Sequence, residues 1–133
     1  MIVVDTNIIG YFYLNGEFTG LAEKALKKDP VWIAPLLWRS EFRNVMAWYI
    51  RKKLLSLSDA LEIIEEAELL MKGNEYSVTS FQILQLVAQS DCSAYDCEFV
   101  ALAHNLNIPL VTMDKKILDN FPNSAIRLEH FAK

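Results

Sequence analysis

The chain has 133 residues, 53% hydrophobic and 23% charged, a balance that excludes a disordered segment and supplies one core without disulfides or structural metal. Its net charge of −4 excludes a protein that coats nucleic acid by bulk electrostatics. No apolar run approaches the roughly 18 residues of a membrane span, and the N-terminus lacks a basic region and a small-residue cleavage site. A soluble, cytoplasmic protein with a single domain over residues 1–133 is expected.

In chain order, Ile2 to Val4 is a β-branched run suited to a strand buried on both faces. Helical patterning follows from Asn7 toward Tyr13. Leu21, Ala22, Ala25 and Leu26 recur at helical spacing until Asp29 and Pro30 stop them, and Val31 to Ala34 reads as a second strand. From Leu36 to Lys53 the pattern is a long helix with Trp38, Phe42, Val45, Trp48 and Tyr49 as its apolar stripe. A further helix runs from Ser58 to Met71 and ends at Gly73 and Asn74. Tyr76 to Val78 is a short strand, and Thr79 with Gln82 has capping-box spacing for a helix to Gln89. Ser93 with Asp96 opens another helix carrying Phe99, Val100, Ala103 and Leu106. Leu110 to Thr112 is a strand, Lys115 to Asn120 a short helix, and Ala125 to Leu128 a last strand before a helical tail.

Strands alternating with helices predict a three-layer α/β/α sandwich with a central, mainly parallel sheet. Ligands in such sheets gather beyond the carboxyl ends of the strands, where the strand order reverses. Asp5 and Asp114 both follow strands directly. Each also suits an N-cap of the helix that follows. Glu41 lies three residues after Trp38 and four before Val45, which turns it toward the apolar face of its helix. Asp96 shares a stripe with Phe99, Val100 and Ala103, and equally fits the acid of a capping box with Ser93. Carboxylates turned inward cost several kcal/mol each unless paired or bound to a cation. The basic residues lie off these stripes, apart from Arg39 and Arg43 nearby, so a divalent cation is the economical partner. Oxygen ligands suit Mg²⁺ or Mn²⁺. Such an ion can bind a phosphate oxygen and acidify a coordinated water for phosphodiester hydrolysis.

Other charges divide into a basic stretch, Arg39, Arg43, Arg51, Lys52 and Lys53, followed by an acidic block of Asp59, Glu62, Glu65, Glu66 and Glu68. Two solvated helix faces account for this; a phosphate-contacting basic edge is the sharper reading. Asp91 and Asp119 are near enough in sequence to Asp96 and Asp114 to join the same site. Cys92 and Cys97 fit reduced packing residues, and His104 and His130 fit structural ones.

VVDTN at the start, SEFRN at 40–44, SAYDCEFVALA at 93–103 and LVTMD at 110–114 resemble the PIN domain, in particular the small ribonucleases of the VapC toxin type. The likeness spans essentially the whole chain in order. It implies a metal-dependent endoribonuclease with Mg²⁺ or Mn²⁺ held by Asp5, Glu41, Asp96 and Asp114, and products with a 5′-phosphate and a 3′-hydroxyl. Thr6, Asn7, Asn44 and Thr112 match residues that support the acids or orient substrate, and Arg39, Arg43 and Lys52 are placed to approach the RNA backbone. The toxin branch further implies a homodimer and a cognate antitoxin protein. A housekeeping RNA-processing nuclease would use the same residues. A PIN domain that binds RNA or a protein without cutting would be expected to lose acids, and all four are present. A signalling receiver domain would need an acid pair after its first strand, where this chain has DTN.

Overall fold

Five short segments form strands: β1 (Ile2–Val4), β2 (Trp32–Pro35), β3 (Glu75–Tyr76), β4 (Leu110–Thr112) and β5 (Ala125–Arg127). The computed structural model, which describes residues 1–133, joins them in one sheet of order β3-β2-β1-β4-β5. All four pairings are parallel. The chain moves outward from β1 to β2 and β3, then returns to the other side of β1 for β4 and β5. The strand order therefore reverses between β1 and β4, and the crevice position beyond their carboxyl ends is where such sheets bind ligands.

Eight helices complete the fold: α1 (Thr6–Tyr13), α2 (Thr19–Lys28), α3 (Leu37–Arg51), α4 (Leu57–Met71), α5 (Ser80–Ala88), α6 (Ala94–Leu106), α7 (Lys115–Asn120) and α8 (Leu128–Phe131). Helices α1 to α4 pack among themselves and against β1, β2 and β4, with α8 joining α2. Helix α6 crosses β1, β2 and β4 with α5 beside it. This is the expected three-layer sandwich. Because both faces are covered, β1, β2 and β4 are buried throughout. Helix α6 is a core helix: Cys97 and every residue from Phe99 to Ala103 are buried. No helix is long and apolar enough to cross a membrane.

Side-chain caps fix the helix starts near the crevice. Ser93 Oγ accepts the Asp96 amide at 3.1 Å, and Asp114 Oδ1 accepts the Ile117 amide at 3.1 Å. Helix α6 ends with Asn107 in the left-handed region, φ 54°. Gly73 closes α4 with φ 81°, a conformation a side chain would strain.

Three expectations shift. The edge strand is Glu75–Tyr76 rather than Tyr76 to Val78, because β2 turns into α3 after Pro35 and leaves no partner beyond Tyr76. The last strand stops at Arg127, since Leu128 already begins α8. Trp48 does not join the apolar stripe of α3. The core face runs through Trp38, Phe42 and Met46, spaced by four residues, and Trp48 falls to its flank, 52% exposed.

Candidate active site

Asp5 leaves the end of β1 in extended conformation and caps α1. Its Oδ1 accepts the Thr6 amide at 2.8 Å, and its Oδ2 accepts the Thr112 hydroxyl at 2.7 Å. The capping role and the site role therefore coincide in one side chain. Asp5 is only 9% exposed. Burial, reinforced by the negative charges of Glu41 and Asp96, pushes its carboxyl up to about 7 despite those two hydrogen bonds.

Glu41 reaches the same crevice from α3, where its Oε1 accepts the Thr6 hydroxyl at 2.7 Å. Its carboxyl is raised by burial and by the charges of Asp96 and Glu98. Asp96 projects from the first turn of α6, raised by burial and by Asp114, with Ser93 and Lys116 opposing the rise. Asp114 caps α7. Thr112, fully buried, ties the two strand ends together: its Oγ1 donates to Asp5 and accepts the Asp114 amide at 2.9 Å. Four segments far apart in sequence thus present carboxylates to one crevice, each held by a hydroxyl or an amide.

No ion pair of the chain uses Asp5, Glu41, Asp96 or Asp114, and the charge of Lys116 offsets only part of the rise at Asp96. Asn7, in the first turn of α1, keeps a buried Oδ1 with no hydrogen-bond partner. No three acidic, histidine or cysteine side chains stand close enough to enclose a metal unaided. A site offering one or two carboxylates, with water completing the sphere, is the kind that Mg²⁺ occupies. The hard oxygen donors, the repulsion among them and the orphaned Asn7 oxygen all fit such an ion.

Sequence reasoning missed two contributors. Glu98 is half-buried and its charge reaches Glu41. It lies two residues after Asp96, a spacing that helical periodicity assigns to another face. Tyr11 lies one helical turn past Asn7, and its hydroxyl is raised by burial and by Asp5.

The remaining candidates fall outside the cluster or are already engaged. Asp91 and Asp119 line a separate surface recess of about 460 Å³ with Lys115, Lys116 and Asn120, and Asp119 is paired to Lys115 at 2.7 Å. Arg39 is not a free backbone contact. Its guanidinium holds Glu75 in two hydrogen bonds of 2.6 and 2.8 Å and stands 3.4 Å from Glu68. Arg43 and Lys52 remain exposed without an ion-pair partner. Asn44 is exposed one turn beyond Glu41. Cys92 and Cys97 are buried and free; burial and the nearby Asp96 push the Cys92 thiol up to about 11. His104 bonds Ser124 at 2.7 Å, away from the crevice.

The fold is a parallel α/β/α sandwich with acids gathered at its switch point, and comparison with known proteins supplies the family. Residues 2–122 match the PIN domain model. The chain belongs to the PIN domain family. Ribonuclease VapC3 of Pyrobaculum aerophilum is 26% identical over 124 residues, covering 91% of this chain and 95% of the relative. Two solved structures share the fold. PAE2754 from Pyrobaculum aerophilum superposes with a TM-score of 0.78 at 17% identity, covering 98% of this chain and 92% of that one. FitAcB from Neisseria gonorrhoeae gives 0.75 at 16% identity, covering 98% and 99%.

Proposed function

We propose that the chain is a divalent-metal-dependent endoribonuclease and the toxin component of a type II toxin-antitoxin system, acting in the cytoplasm as a homodimer restrained by an antitoxin protein. The observation that carries the nuclease reading is the acid cluster without an ion-pair partner at the β1/β4 switch point. Membership of the PIN family and the likeness to Ribonuclease VapC3 support RNA as substrate and the toxin setting.

Asp5, Glu41, Asp96 and Asp114 would hold Mg²⁺ or Mn²⁺ between them, partly through water, and the ion would supply a Lewis acid for a phosphate oxygen and acidify a coordinated water. The protein's own groups do the positioning. Thr112 and the Thr6 amide lock both oxygens of Asp5, and the Thr6 hydroxyl fixes Glu41 Oε1. That leaves Glu41 Oε2 to take a proton from the attacking water, a role suited to a carboxyl held above its ordinary range. The P–O3′ bond breaks in line with attack and the departing O3′ takes a proton from solvent, leaving a 5′-phosphate and a 3′-hydroxyl. Asn7 and Asn44 orient the strand, and Arg43 and Lys52 approach its backbone.

The test is cleavage of RNA by the wild type, Asp5→Asn and Asp96→Asn, with Mg²⁺ or Mn²⁺. Both variants should lose activity; equal cleavage by all three would remove the assignment. Calorimetric titration with Mn²⁺ should release or absorb heat with the wild type, and its absence would favour a PIN domain that binds without cutting.

A further inference from the structure

Trp48 departs from the other two tryptophans. Trp32 and Trp38 are buried, at 0% and 1% exposure, whereas Trp48 is 52% exposed. It lies seven residues past Glu41 on α3, so the helical period returns it to nearly the same side, about 10 Å further along the axis. Asn44, Trp48, Arg51 and Lys52 line one recess of about 380 Å³, in which Trp48 is the only hydrophobic residue. Lys52 Nζ stands 5.8 Å from the indole ring centroid, and Tyr49 meets the indole at 5.2 Å between centroids. The ring is held in place while half of it stays in water. Arg51 and Lys52 take part in no ion pair.

We propose that this recess is a nucleotide subsite for the RNA strand on which the acid cluster acts. A nucleobase stacks on Trp48, Arg51 and Lys52 meet the flanking phosphate, and Asn44 hydrogen-bonds the base or sugar edge. The inference rests on the ribonuclease reading above. Chemistry selects a single-stranded nucleic acid over a protein face. One aromatic ring beside two unpaired cations and an amide offers stacking and phosphate contacts, but not the contiguous apolar area at the centre of a protein interface. Stacking reads a π-face rather than a base edge, so the subsite should tolerate any base.

The probe is a short single-stranded RNA oligonucleotide, titrated into the full chain in EDTA so that cleavage does not intervene. Binding should quench the exposed tryptophan. Trp48→Phe should lose that quench and keep most of the affinity, and Trp48→Ala should weaken binding about tenfold. Lys52→Ala, which leaves the ring in place, should reduce the slope of log K against log salt by about 0.7. RNA affinity of Trp48→Ala within twofold of wild type would overturn the proposal. So would a Trp48→Ala chain that loses self-association at unchanged RNA affinity, which assigns the face to a second copy. If the wild type fails to cleave with Mn²⁺ while these binding effects persist, the nuclease reading falls and the subsite stands.

Discussion

Replacing Asp5 with Asn should make the metal-free protein more stable at mildly alkaline pH while removing its response to metal. Asp5 is 9% exposed, and burial with two like charges raises its carboxyl from 3.8 to about 7. The folded state therefore holds a proton over a window in which the unfolded chain has released it. Stability falls as pH climbs from about 4 to about 7. Across that window the difference in pKa corresponds to about 4 kcal/mol of destabilisation, complete by pH 8. Asparagine carries no charge and keeps an oxygen for the Thr6 amide. Its NH₂ group must turn the Thr112 hydroxyl from donor to acceptor, a rearrangement costing about 1 kcal/mol. The net expectation is a gain of about 2–3 kcal/mol at pH 8, disappearing toward pH 4. Urea unfolding in EDTA at a series of pH values reads it directly. Mn²⁺ should then close that gap, stabilising the wild type by about 2.7 kcal/mol at a hundredfold excess over its Kd and leaving Asp5→Asn unchanged. A variant less stable than wild type at pH 8, or one that Mn²⁺ stabilises equally, would refute the reasoning.

Thr112→Val removes the donor to Asp5 and the acceptor of the Asp114 amide. It should cost about 1–3 kcal/mol in urea unfolding. Because Thr112 lowers the Asp5 carboxyl, its loss should also move the onset of Mn²⁺ binding to higher pH in calorimetric titrations. Arg39→Met should lower stability by about 1 kcal/mol, discounted for its part exposure, with the effect on unfolding rather than on the salt slope of RNA binding. The Glu75 carboxyl is held below its ordinary range chiefly by Arg39, so this contribution is present at neutral pH and is lost as pH falls through the folded value. Glu98→Gln should weaken Mn²⁺ affinity by up to about tenfold, measured by calorimetry, while leaving the thermal midpoint of the metal-free chain unchanged or raised.

Most strands and helices were legible because burial on two faces and on one stripe leave different periods. The places that misled are informative. Val78 has the composition of a strand residue, yet β-pairing needs a neighbour, and β2 has already turned away. Trp48 repeats at nearly the right interval for the core of α3, but a few tens of degrees of helical rotation put a side chain in or out of it. Arg39 reads as a free cation near the site, whereas Glu75, 36 residues later on the edge strand, claims it.

The sequence by itself determined which acids stood in costly places, because local period turns Glu41 and Asp96 inward and strand ends expose Asp5 and Asp114. It could not determine that they share a site. Only the parallel order around β1 brings residues 5, 41, 96 and 114 to one crevice. Only there does the charge of Glu98 reach Glu41 and does one hydroxyl, Thr112, link two strand ends. Periodicity is a property of a few consecutive residues. Charge repulsion and hydrogen bonding act through space, between segments that the fold alone makes neighbours.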